Sequence, residues 1–328
     1  MEAEPDPLVP SRKEGPQGLP GDLTVMTVTG PIHAERLGMT LPHEHVFLNL
    51  MREHRATGLL HDPELMAREL GRFRDAGGSS LVDCTNMGLG RQPQMLRQIA
   101  ETTGLNIIMG CGLYREPYLD RHWVDAHSVD AIAECIVRDL TEGVDDTGVC
   151  AGIIGEIGCD HPYPSAQEER SFRAAGRAHL QTGATITTHA ARWPVGLDQL
   201  DLLAEEDVPP AAVIIGHVET IPDFEYHLKL LRRGAWVQYD SIRGQSRYDT
   251  EIRVRGIVEM CRRGFTNQIL LSHDVCNKTH LVEFGGTGYA YIPTTFVGLL
   301  KNAGLNDDEI HQLTVVNPRR AILGVRAD

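Results

Sequence analysis

The chain has 328 residues, enough for one large domain or two ordinary ones, and its 41% hydrophobic and 23% charged residues exclude a disordered or collagenous chain. Forty-five acidic against 31 basic residues leave a formal charge of -14, which opposes the phosphate attraction behind nucleic-acid binding. No apolar run approaches the ~20 residues needed to cross a bilayer, so a small molecule is the expected partner, with no nucleic acid and no membrane.

Residues 1–23 begin with MEAEPDPLVPSRKEGPQGLPGD, rich in Pro, Gly and charge and without the apolar stretch of a signal peptide. They read as a flexible tail ahead of a folded unit over 24–328. The seven cysteines are odd in number, scattered and without a CxxC pair, which predicts reduced thiols and a cytoplasmic location.

From there, short apolar runs alternate with longer amphipathic stretches. The first strand, 39–48, carries His43 and His45, whose spacing of two puts both on one face with Glu44 opposite. A helix over 62–76 follows, with Asp62 as its N-cap. The second strand, 80–85, leads to a helix over 92–103, and the third, 106–112, is followed by Tyr114 and a helix over 128–143. The fourth, 150–158, contains Glu156 among apolar residues and glycines and precedes a helix over 166–182 that ends at Gly183. His189 ends the fifth strand, 184–190, and His217 the sixth, 211–218, with helices over 196–206 and 222–233; Gly234 stands at the end of the latter. The seventh strand, 235–242, runs into Arg243 and a helix over 250–264. The eighth, 268–274, ends on Asp274, followed by a long loop over 285–296, read as a lid, and a helix over 291–304. Eight strand–helix units predict an α/β fold, a single-domain (β/α)8 TIM barrel, with polar residues gathered at the C-terminal strand ends where such barrels place their sites.

An HxH alone suits two hydrogen-bonded histidines as well as a metal pair. Two further imidazoles at matched strand ends, and carboxylates in otherwise apolar strands with no basic residue to pair them, point to cations. Four imidazoles and two carboxylates exceed one tetrahedral zinc site, so two divalent ions are expected: one on His43, His45 and Asp274, one on His189 and His217, with Glu156 bridging. The ligand types suit Zn and also Mn, Fe or Co. Asp274 is the expected catalytic residue, a proton acceptor for a hydroxide shared by the metals. Tyr114 and Arg243 are candidate substrate contacts. His273 faces away by alternation, Arg91 is structural, and Cys111 and Cys276 are not assigned as ligands.

The segments LPHEHVFLN, AGIIGEIGC, ITTHA, IIGH, LLSHD, FGGTGYAYIPTTF and TVVNPRRAI resemble, in order and over residues 24–325, the phosphotriesterase-like branch of the amidohydrolase superfamily. The resemblance implies a distorted (β/α)8 barrel, a binuclear metal centre, a homodimer, and hydrolysis of esters, lactones or related acyl or phosphoryl compounds. Well-known phosphotriesterases and lactonases bridge their metals with a carboxylated lysine, which AGIIGEIG lacks. Glu156 therefore looks like the bridge of the subgroup similar to phosphotriesterase homology proteins and animal phosphotriesterase-related proteins. The expected activity is lactonase- or esterase-like, with weak phosphotriesterase activity beside it; the alternatives are an amidase acting on N-acyl amino compounds and a non-catalytic metal- or ligand-binding barrel.

Overall fold

A computed structural model describes residues 23–325. The tail expected over 1–23 therefore lies, except for Leu23, outside the described residues. Eight parallel strands form one sheet in chain order: β1 (Thr40–Glu44), β2 (Ser80–Asp83), β3 (Asn106–Cys111), β4 (Ile153–Gly158), β5 (Ile186–His189), β6 (Val213–Gly216), β7 (Trp236–Tyr239) and β8 (Ile269–Leu271). Each strand is followed by a helix, the principal ones being Pro63–Asp75, Pro93–Thr103, Val129–Thr141, Ala166–Thr182, Gly196–Glu205, Phe224–Arg233, Arg247–Met260 and Val297–Asn302. Asp62 caps the first of these through Glu64 N–H and Leu65 N–H, and Gly183 and Gly234 end theirs in the left-handed conformation, as expected.

The expected strands are a few residues too long. β1, for example, stops pairing at Glu44 rather than at 48, and β8 at Leu271 rather than at 274. Among the elements not anticipated are a hairpin of Thr24–Thr27 with Gly30–His33, a short pair Leu48–Asn49 with Leu59–Leu60, short helices Met51–His54 and Arg121–Ala126, and helical turns between Asp307 and Ile322. Their strands are too short for an alternation signal to stand out. The hairpin has a definite task. Its Val25 and Ile32 join Val82, Ile108, Ile153, Ile214, Trp236 and Leu270 in one buried cluster. Successive barrel strands thus fill the interior with apolar side chains, and the hairpin plugs the N-terminal end. What is left open is the C-terminal end.

Two of the strands are bulged. Between Leu41 and Glu44, β1 takes three residue steps against two on β2, and between Ile154 and Ile157, β4 does the same against β5. A bulge re-aims the side chains around it. The β4 bulge contains Gly155 at φ +124°, where a Cβ would lie 2.2 Å from the Thr187 carbonyl oxygen. Only glycine fits, and the kink swings Glu156 inward.

The seam between β8 and β1 is closed mostly through side chains. The Ser272 hydroxyl accepts the His43 N–H at 3.1 Å and lies 2.7 Å from the His43 carbonyl. The fully buried Glu44 carboxylate accepts the N–H groups of His273 and Val275 at 2.8 and 2.9 Å and lies 2.9 Å from His273 Nδ1. Glu44→Ala would strand these donors in an apolar interior, a loss of about 3–5 kcal/mol. Urea denaturation should show it as a lowered midpoint; a shift within the ~0.5 kcal/mol usual for surface positions would mean that the clamp is dispensable.

Candidate metal centre

All six residues expected as metal ligands converge at the C-terminal end of the barrel. Glu156 lies at the centre. Its carboxylate oxygens are 2.9 Å from His189 Nδ1, 3.3 Å from His217 Nε2, 3.4 Å from His45 Nε2 and 3.6 Å from His43 Nε2. Asp274 Oδ1 lies 3.3 Å from His45 Nε2 and 4.0 Å from His43 Nε2. Donor atoms of His43, His45 and Glu156, and of Glu156, His189 and His217, each group within 4.8 Å, so the one carboxylate is shared by two potential cation sites.

The residues fit cations. His43 Nε2 is buried and has no hydrogen-bond partner, an orphan that is costly in a protein interior unless something coordinates it. Burial would raise the Glu156 carboxyl, but the surrounding imidazoles outweigh it and hold it well below the usual carboxylate range. Burial together with the charge of His217 pushes His189 down to about 4. Burial would lower His43, His45 and His217 too, but the carboxylates around them outweigh it and raise all three; a divalent ion at the same nitrogens would take the place of the protons these acids favour there.

Behind the rings lies a second set of partners. Asp240, just past β7, lies 2.6 Å from His217 Nδ1, accepts the His217 N–H at 3.0 Å, and has Oδ2 3.4 Å from His43 Nδ1. Gln238 Nε2 reaches Asp240 Oδ2 at 2.8 Å and His43 Nδ1 at 2.9 Å, and Thr85 Oγ1 is 2.9 Å from His45 Nδ1. These groups fix which nitrogen of the His43, His45 and His217 rings faces the centre. Asp240 was not among the sequence candidates, although it ends AWVQYD as Asp274 ends ILLSHD. Burial opposes its ionisation, and the His217 and His43 charges outweigh it, so its carboxyl sits below the usual range. It also forms a compact group with His43 and His217, but it meets the outward nitrogens and so orients ligands rather than adding one. Strain marks the same places: His217 and Asp274 have φ of +58° and +51°, a region costly for residues with a side chain.

The site opens into a cavity of about 220 Å³. Tyr114 lines it, buried, with its hydroxyl 3.1 Å from His189 Nδ1. Arg243 also lines it, but its guanidinium is spent. It ion-pairs with the Asp274 carboxylate and donates from Nε to the His273 carbonyl at 2.8 Å and from Nη2 to the Asp274 carbonyl at 2.8 Å. His273 faces away, between Glu44 and the Ile292 N–H. Arg91 pairs with Asp139 at 2.9 Å. The segment over 285–296, expected as a lid, is instead built into the wall. Tyr289 is fully buried and donates to the His45 carbonyl at 2.5 Å, Phe296 is fully buried, and the segment contributes no residue to the cavity lining.

Comparison with known proteins agrees with this geometry. The family model described as the phosphotriesterase family matches residues 23–322. The chain is 32% identical over 282 residues to a phosphotriesterase homology protein of Escherichia coli, covering 86% of this chain and 96% of that protein. It is 30% identical over 275 residues to an N-acetyltaurine hydrolase of Dictyostelium discoideum, covering 80% and 74%. The crystal structure of a lactonase from Listeria monocytogenes superposes with a TM-score of 0.84 at 26% identity, covering 92% of this chain and 99% of that one.

Two predictions follow from the ligand set and its supports. Elemental analysis after zinc loading is expected to give about two ions per chain, and a ceiling of one would remove the bridging role of Glu156. Asp240→Ala should weaken metal affinity by about 10–100-fold while the fold survives, read by competition with a chelator; unchanged affinity would mean that His217 needs no outer support. A barrel with these strand ends, matched by a family model over most of its length, belongs to the phosphotriesterase family.

Proposed function

We propose that this protein is a metal-dependent hydrolase of small acyl compounds, cleaving a carboxylic ester, a lactone or an N-acyl amide. The observation that carries the reading is the convergence of four imidazoles and two carboxylates, with His43 Nε2 left unpartnered, at the floor of an open cavity. His43, His45 and Asp274 would hold one divalent ion and His189 and His217 the other, with Glu156 between them; zinc suits this set best, and Mn, Fe or Co are compatible. When bound, such a pair lowers the pKa of water toward ~7 and polarises the substrate carbonyl.

The chain's own groups do the rest. Asp274 is divided in use: Oδ1 faces His45 and His43, while Oδ2 is held by Arg243. Oδ1 is thereby fixed where it can take a proton from the attacking water and pass it to the leaving oxygen or nitrogen as the acyl C–O or C–N bond breaks. Burial, with the Glu156 and Asp274 charges, raises the Tyr114 phenol well above its usual value. It therefore stays a neutral donor, beside His189, for the substrate's acyl oxygen. No serine or cysteine nucleophile is needed.

The amide reading gains support from the relatives named N-acetyltaurine hydrolases, and the lactone reading from the lactonase structure. The test is kcat/KM of the metal-loaded protein on N-acetyltaurine, an N-acyl amino acid, a lactone, an aryl ester and a phosphotriester. The best carbonyl substrate is expected to exceed the phosphotriester by about tenfold or more, 1.4 kcal/mol in barrier. The reverse order would overturn the acyl reading, and no turnover of any of them would favour a non-catalytic barrel. Asp274→Asn should lower kcat on the best substrate by about 100-fold or more. Near-normal turnover would remove Asp274 from the proton path.

A further inference from the structure

Three arginines line the cavity, and they are not equivalent. Arg243 is consumed by Asp274 and the carbonyls of 273 and 274. Arg115 is buried and ion-paired with both Glu53 and Asp160. Arg192, three residues past the candidate ligand His189, is exposed at the cavity wall, and among the described residues its guanidinium has no carboxylate or hydrogen-bond partner. Its backbone, by contrast, is held. Arg192 sits at φ +68°, and its N–H donates to Thr220 Oγ1 at 3.0 Å. The Thr220 hydroxyl in turn donates to the carbonyl of His217 at 2.7 Å. A strained main chain is thus tied to the metal-site turn, while the side chain it presents is an uncompensated cation facing the space where substrate must lie.

We propose that Arg192 is the specificity-determining residue of this site, binding a carboxylate or sulfonate at the end of the acyl compound remote from the scissile bond. The proposal rests on the acyl-hydrolase reading above and adds the charge of the substrate to it. A guanidinium offers paired N–H donors that match the oxygens of such a group, and a charge-assisted pair of this kind is stronger than a neutral hydrogen bond. Positioning the far end of a small substrate fixes where its carbonyl falls relative to Glu156 and Asp274. A neutral lactone or phosphotriester has no group to give Arg192. The favoured substrates are therefore N-acyl amino acids and N-acyl amino sulfonates.

The test separates binding from turnover by using ketones in which a methylene replaces the amide N–H, because these cannot be hydrolysed. Calorimetry on the zinc-loaded protein would compare the ketone analogue of N-acetyl-β-alanine, that of N-acetyltaurine, and the uncharged primary amide of the first. Wild type should bind at least one anion about ten- to a hundredfold more tightly than the amide. Arg192→Ala should bring that ratio to within about twofold, and Arg192→Lys should keep part of it. The two anionic analogues show which head group is preferred. Equal binding of acid and amide by wild type, or a ratio untouched by Arg192→Ala, overturns the proposal. In parallel, kcat/KM of Arg192→Ala should fall on N-acetyl-β-alanine, mainly through KM, and by a much larger factor than on its primary amide. If wild type hydrolyses neither compound yet shows the Arg192-dependent preference, the acyl-hydrolase reading fails while the anion subsite stands.

Discussion

Everything at the open end of this barrel is set by a carboxylate that does not face it. Glu44 lies between His43 and His45 and points the other way, where it takes the N–H groups of His273 and Val275. The residue between those two, Asp274, is left donating its own N–H to the His43 carbonyl at 3.2 Å. One buried acid therefore joins the first strand to the last and fixes Asp274 against His43. The chain cannot place its candidate ligands without first completing the barrel, because ligands from opposite ends of the sequence meet only across this seam.

Within that frame the two bulges divide the work. The β1 bulge lets the HxH run leave the regular pleat just before the site, and the β4 bulge turns Glu156 into the middle of it. The imidazoles then need orientation more than position. Asp240, Gln238 and Thr85 supply it from below, where the interior is dry and a hydrogen bond holds its direction strongly. The apolar floor beneath, sealed by the Thr24–Thr27 hairpin, keeps water from competing for those contacts.

Much of this was legible in the sequence, for identifiable reasons. His43, His45, His189, His217, Glu156 and Asp274 stand out because each is a polar residue in or ending an apolar run, and burial makes such residues expensive without a purpose. The order of eight strands was legible from the same runs. Asp240, which ends AWVQYD, is open to the same argument, although it is absent from the residues the sequence singles out. Gln238 and Thr85 carry no such signal, since a neutral polar side chain in a strand is unremarkable. The arginines were decided by partners that only the fold brings together. Arg243 lies 31 positions from Asp274, and nothing in its loop foretells that the pair will meet. The segment over 285–296 misled by its glycines. Two of them, Gly286 and Gly288, instead allow close packing, against the backbone of 279–280 and against Glu69 and Val282, and Tyr289 and Phe296 hold the segment there.

The fixed eighth segment bears on how such a protein can change over generations. Tyr289 ties this segment to the backbone of a candidate ligand, His45, and the Ile292 N–H ties it to His273, so sequence drift there disturbs the barrel before it alters the cavity. The turns after β3 and β5, which carry Tyr114 and Arg192, border the cavity, and Arg192 reaches it from an exposed position. Heritable variation in what the site accepts can therefore accumulate in the turn after β5 at little cost to folding, leaving the metal-binding chemistry as the inherited constant.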